Sequence, residues 1–320
     1  MRTLVTGAAG YIGSALVRAL VASGAAGDLL LTDRTATTDS SAGATVVTGD
    51  IADPSLHDAL FATPIDSIFH FAGIVSGAAE ANYALGRRVN LDATLALVER
   101  CRLQVARGHA PPRFIYASSI AVFGVPLPAR IDDETEPRPT LSYGTHKRAC
   151  ELVLDDATRR GFVDARALRL SGVLVRPPLA NGALSGFNSD VVREPLAGRD
   201  YTCPVAPDAT IWVTALDTVV GNLLRLAAVD GARIGPRRAM TTPSVALSLA
   251  DLVAALGRAD AAAPARIAFR PDPKVEPQFG RWPLDCDFGR ARALGLEVDA
   301  SIDTIVARHL ASERAQGKTA

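Results

Sequence analysis

The chain of 320 residues carries no net charge, its 34 Lys and Arg offsetting 34 Asp and Glu. A nucleic-acid-binding surface needs a basic excess to neutralise phosphates, so no nucleic-acid partner is expected. The same balance gives no electrostatic attraction to a membrane, and no apolar run approaches the roughly 18 residues of a spanning helix. Cysteine is scarce: Cys101, Cys150, Cys203 and Cys286 lie far apart, with no CxxC or other metal-ligand spacing. Free thiols and no bound metal are the expectation. The N-terminus lacks the basic start, apolar core and small-residue cleavage site of an export signal, so a cytoplasmic location is expected. Repeats and low-complexity segments are also missing. What is present is 48% hydrophobic residues, enough for a sizeable core.

Those residues are arranged as short apolar runs alternating with longer helical patterns, the mark of a parallel sheet covered by helices. Strands are predicted at Thr3–Thr6, Asp28–Thr32, Ala44–Thr48, Ser67–Phe71, Arg113–Ala117 and Ala165–Leu170. Helices are predicted at Tyr11–Ser23, Ser55–Phe61, Ala78–Arg107 and Ser142–Arg160. Beyond residue 170, prolines and glycines break the pattern into loops and one short helix, before helices return near 215–228, 249–257, 287–294 and 301–313. The fold class is α/β, a doubly wound parallel sheet with a smaller C-terminal α/β lobe. We assign residues 1–170 to a dinucleotide-binding domain to which 209–231 return, and 171–208 with 232–320 to a substrate lobe. The cleft between the two is the expected site.

The first run leads into Thr6-Gly7-Ala8-Ala9-Gly10-Tyr11-Ile12-Gly13 and then a helix. Glycines at 7, 10 and 13 permit a tight turn, close approach of a pyrophosphate and close helix–strand packing, and the helix N-terminus favours phosphate charge. Asp33 ends the second strand twenty residues beyond Gly13, placed to bind the adenosine ribose hydroxyls and to disfavour a 2′-phosphate. NAD is therefore the expected cofactor, with Arg34 as a neighbour able to pair with a phosphate or stack on adenine. Asp50 and Ile51 end the third strand and Phe71-Ala72-Gly73 the fourth, so they trace the same ligand along one sheet edge.

Tyr143 and Lys147 stand four apart at the start of a helix and so share a face. A free phenol, with a pKa of about 10, is a poor base at neutral pH, and a nearby ammonium is expected to favour the phenolate. Tyr143 would take the hydroxyl proton as carbon-bound hydrogen leaves as hydride, and Lys147 would also hold the nicotinamide ribose. Ser118 and Ser119, at the end of the fifth strand, offer a hydroxyl to the reacting oxygen.

Taken together, TGAAGYIG (6–13), GDIADP (49–54), FHFAG (69–73), Asn90 within RVNLDAT, SSIAVFG (118–124) and YGTHK (143–147) resemble the extended short-chain dehydrogenases. The resemblance runs over nearly the whole chain. It implies a Rossmann-type sheet, Ser119 as the serine partner of Tyr143 with Ser118 beside it, and Asn90 on a helix packed near the catalytic and cofactor residues. Leu170, at the end of the sixth strand, is counted with the cofactor residues. A homodimer formed through helices 78–107 and 142–160 is also implied. Stretches outside the cofactor signature (71–94, 118–128, 142–147, 159–177 and 191–200) resemble a branch whose members oxidise the C2 hydroxyl of a four-carbon sugar acid with NAD. Ser171 and Gly172 stand where that branch usually has proline and threonine.

A small hydroxy acid needs a cation for its carboxylate, and Arg176 and Arg193 in the loop-rich region are the candidates. Ser76, Ser118, Ser119 and Tyr143 are the candidates for its hydroxyls, with Asn181 and Ser185 behind them. His70 is read as a core histidine, and His146 as turned away from Tyr143. Trp212 and Phe187 line the pocket or pack the lobe. A nucleotide-sugar epimerase or dehydratase that keeps its NAD bound is the alternative reading of the same triad.

Overall fold

Among the described residues ten strands form the two larger sheets: Arg2–Thr6 (β1), Asp28–Asp33 (β2), Thr45–Thr48 (β3), Ser67–His70 (β4), Arg113–Ser119 (β5), Asp164–Leu170 (β6), Gly172–Leu174 (β7), Thr210–Ala215 (β8), Ala239–Thr241 (β9) and Val245–Ser248 (β10). The computed structural model describes residues 1–24, 27–35, 43–178 and 184–315. Seven of the strands form one sheet in the order β9-β6-β5-β4-β1-β2-β3, and every pairing in it is parallel. The order reverses between β1 and β4, which opens a crevice beyond their carboxyl ends.

The apolar runs read as they do because both faces of the sheet are buried. Val5, Leu29, Leu31, Phe69 and Ile115 enter one core with the helices Tyr11–Ala22 (α1) and Leu216–Ala228 (α5). Their neighbours Leu4, Leu30, Ile68 and Phe114 enter the other, with Ala93–Ala106 (α2) and Ser142–Arg159 (α3). A third core in the smaller lobe gathers Phe187, Val191 and Val192 of Phe187–Leu196 (α4) with Ile211 and Val213 of β8. There β8 lies between β7 and β10. Among the described residues no helix is long and apolar enough to cross a membrane.

Two expectations need correction. The single helix expected over 78–107 is broken into Ser76–Ala81, Tyr83–Arg87, a π-helical turn at Arg88–Asp92, and α2. Asn82, with φ −138° and ψ 86°, leaves the helical region and caps the next segment by accepting from Leu85 N at 3.0 Å. The expected division of the later chain also differs from the sheets observed. Helix α5 packs against α1 of the large domain, but β8, within 209–231, belongs to the small sheet, and β9, within 232–320, is a strand of the large one.

Candidate active site

The carboxyl ends of β1, β4, β5 and β6 face a continuous cleft of about 540 Å³ that runs from Asp33 to Trp282. Backbone geometry shapes its first half. Gly7 has φ +69°, and a Cβ there would stand 2.7 Å from Ala72 N; a Cβ on Gly13 would stand 2.1 Å from Gly7 O. No side chain other than hydrogen fits either place. Helix α1 starts at Tyr11 with no side-chain cap and no acidic residue in its first turn, which leaves its leading N–H groups for a phosphate. Asp33 holds the loop from the other side, its Oδ2 accepting from Ala9 N at 3.0 Å and its Oδ1 from Arg34 N at 2.7 Å. Gly10, Tyr11, Ile12, Arg34, Asp50, Ile51, Phe71, Ala72, Gly73 and Leu170 also border the cleft. These residues fit a dinucleotide: an uncapped helix end for the pyrophosphate, a strand-end carboxylate for the ribose, and small residues along the path between.

Arg88, which sequence reasoning missed, lines the cleft and pairs with Asp50 at 2.9 Å. Asn90 lies just behind the cleft, buried on the π-helical turn. Its Oδ1 accepts from Ile74 N at 2.7 Å and its Nδ2 donates to Ile74 O at 2.9 Å. It holds the main chain beyond β4 in place. His70 lies between the Thr6 and Thr94 hydroxyls at 2.7 and 3.0 Å, and burial holds it down at about 3, so it is a neutral core group.

Further along, α3 presents Tyr143 and Lys147 to the same cleft. The Lys147 ammonium donates to Ala117 O at 2.7 Å and lies 4.6 Å from the Tyr116 ring centre and 5.7 Å from that of Tyr143. Burial lowers it from 10.5 to about 8. The Tyr143 phenol is raised by burial, opposed by the Ser119 hydroxyl and then by Arg176. Lys147 is expected from the sequence to lower the phenol, but the groups that oppose its rise are Ser119 and Arg176 (the latter on the segment after β7). Ser119 Oγ accepts from Ala121 N at 3.1 Å. Ser118 borders the cleft too, but its hydroxyl donates to the buried Glu151 at 2.6 Å, so it is occupied.

Beyond Tyr143 the cleft is closed by Arg176, Ser185, Asn188, Trp212, Phe279 and Trp282. Among the described residues no carboxylate pairs with Arg176; its guanidinium reaches only the Ser185 hydroxyl and carbonyl, each at 3.5 Å. Arg193 does not join it. The Arg193 side chain is taken up by Asp190, by Glu194 at 3.0 Å and by the Arg176 carbonyl, and it does not line the cleft. Ser76 lines the cleft at the start of its short helix. Trp212 does so too, its indole donating to Pro283 O at 2.7 Å and its ring lying 5.2 Å from Trp282. Phe187 packs in the small-lobe core, His146 is buried with its ring 5.9 Å from that of Tyr83, and Asn181 lies outside the described residues. Ser171 shares its hydroxyl with Thr214 and Ser244, each at 2.9 Å.

Comparison with known proteins agrees with this geometry. The chain is 40% identical over 97% of its length to D-erythronate dehydrogenase of Cupriavidus necator, covering 98% of that protein. It is 32% identical over 96% of its length to D-erythronate dehydrogenase of Haemophilus influenzae, again covering 98% of it. Among solved structures it superposes with a TM-score of 0.92, at 35% identity, on a nucleoside-diphosphate-sugar epimerase from Agrobacterium tumefaciens, covering 98% of this chain and 95% of that one. It is an NAD-dependent oxidoreductase. Residues 3–231 match the NAD dependent epimerase/dehydratase family, and with the glycine loop and the Ser119–Tyr143–Lys147 cluster in one cleft the chain belongs to that family.

Proposed function

We propose that the enzyme oxidises the C2 hydroxyl of a small sugar acid such as D-erythronate to the 2-oxo acid. The observation that carries this reading is that Arg176, a cation with no carboxylate partner among the described residues, shares the cleft with Tyr143 and is close enough to act on its charge. A substrate carboxylate on Arg176 would bring the neighbouring carbon to the phenol. Tyr143 takes the hydroxyl proton, Ser119 hydrogen-bonds the reacting oxygen and, with Arg176, opposes the burial that raises the phenol, and Lys147 would hold the nicotinamide ribose. NAD held along the glycine loop would supply the acceptor for the C2 hydrogen and its electron pair, so that alcohol and NAD give ketone, NADH and one proton. The two D-erythronate dehydrogenases, matched along nearly their full length, support the choice of acid.

The test is NADH formation at 340 nm with four- to six-carbon aldonates and uronates beside UDP-sugars. Steady NADH release with a four-carbon aldonate is expected. Tyr143→Phe should reduce it by about 10² to 10⁴-fold. The similarity to the nucleoside-diphosphate-sugar epimerase favours a second reading, conversion of a nucleotide sugar with retained NAD. Turnover of UDP-sugars with no NADH from any acid would establish it in place of the first. The reading includes a cytoplasmic homodimer joined through the helices of region 78–107 and α3, where Tyr83 and Leu152 are left 59% and 53% exposed.

A further inference from the structure

The wall of the cleft opposite the cofactor loop contains a polar group with nothing to do. Asn188, the second residue of α4, lines the cleft yet is only 6% exposed. Its Oδ1 is buried and, among the described residues, receives no hydrogen bond. An amide oxygen left so costs about 1–3 kcal/mol, so such groups are rare without a ligand or a water to satisfy them. Its position is not accidental packing around a void either. A Cβ on Gly172 would stand 2.8 Å from Asn188 Nδ2 and 3.0 Å from Trp212 O, so the amide occupies the space that a side chain at 172 would fill. Gly172 is itself one of the two places where this chain departs from the branch it resembles. The next residue, Ser189, accepts from Arg176 N at 3.0 Å, which fixes the start of α4 against the segment that carries the guanidinium.

We infer that Asn188 reads a substrate hydroxyl beyond the reacting carbon, with Gly172 kept small to admit its amide. With the carboxylate on Arg176 and C2 at Tyr143, Oδ1 accepts a hydroxyl proton from the rest of the carbon chain and Nδ2 stays available to donate. The site therefore selects polyhydroxy acids over simple 2-hydroxy acids. A pocket built to hydrogen-bond a hydroxyl rejects the analogue that lacks it far more strongly than an apolar pocket rejects a missing methylene, because the partner is left buried and unpaired. The inference rests on the hydroxy-acid reading above.

The experiment compares 2,3,4-trihydroxybutanoate with 2-hydroxybutanoate, which has the same four carbons and carboxylate but no hydroxyl beyond C2. The wild-type enzyme should prefer the trihydroxy acid. Asn188→Ala should lower kcat/KM for it by about 10- to 100-fold, the cost of one buried hydrogen bond, while changing that for 2-hydroxybutanoate by less than about 3-fold. The KM for NAD and the melting temperature serve as controls. Gly172→Thr, which leaves Asn188 in the chain but displaces its amide, should relax the same preference. Asn188→Asp should keep the preference through its acceptor oxygen and raise KM for both anions. Equal losses for the two acids in Asn188→Ala, or no loss for either, would overturn the role of Asn188 and leave the hydroxy-acid reading standing. No NADH from either acid with the wild-type enzyme would instead overturn that reading and this inference together.

Discussion

Lys147 shows how much a single burial can alter. Its ammonium, 5% exposed and held by the Ala117 carbonyl, is lowered to about 8, whereas the same side chain in the unfolded chain titrates near 10.5. Between those values the unfolded state binds a proton that the folded state has lost, so the fold gains stability as pH rises from about 8 to about 10.5. Below that window the cost of the buried charge is felt in full. Lys147→Met should raise the urea midpoint at pH 7 and flatten its rise towards pH 10, measured by fluorescence at fixed ionic strength. The phenol of Tyr143, raised by burial, works the other way above its ordinary value near 10. The spacing of these two residues was readable from the sequence, because four residues return to the same helix face. Two other residues were harder to read. Arg176 could be named as a cation but not placed beside Tyr143, and Asn188 is marked only by a missing partner and a glycine 16 residues earlier in the chain.

At the scale of elements, α3 does more than carry the phenol and the amine. One turn beyond Lys147, Glu151 is fully buried and joins three segments. It accepts from Ser118 Oγ on β5 at 2.6 Å, from Arg169 on β6 through two bonds of 2.9 Å, and from Arg148 at 3.1 Å. The ends of both strands are thereby tied to the helix that faces them, which sets Ser119 against Tyr143. Glu151→Ala leaves Arg169 charged and unpaired in the core, and should cost about 3–5 kcal/mol in urea unfolding, against little for the exposed pair Arg102–Glu99. The six early strands were legible to within about two residues: those buried on both faces of the parallel sheet write themselves as unbroken apolar runs, and the exposed edge strand β3 is a β-branched Thr-Val-Val-Thr. The break in the 76–106 region was not. Its cause is Asn82 closing one helix to cap another, followed by a π-helical turn that brings Asn90 onto Ile74, and neither leaves a periodic trace.

Across the whole molecule the two lobes are interleaved rather than strung in sequence, with β8 crossing into the small sheet and β9 returning to the large one. That was invisible in the sequence because strands of three to six residues pair by contacts far along the chain. One of the contacts between the lobes is made by a phenol beside the cleft. Tyr11, the first residue of α1 in the cofactor loop, donates its hydroxyl to Val175 O at 3.0 Å, and Val175 immediately precedes Arg176. The part of the chain that would embrace a pyrophosphate is thus bonded to the part that would grip a carboxylate. The consequence is one of thermodynamic reciprocity. If NAD is held more tightly once the acid is in place, then the acid is held more tightly by the same factor once NAD is in place, whichever arrives first. Calorimetric titration of each ligand with and without the other should return equal factors, and Tyr11→Phe should bring both down towards one while leaving each affinity measured alone within about 3-fold.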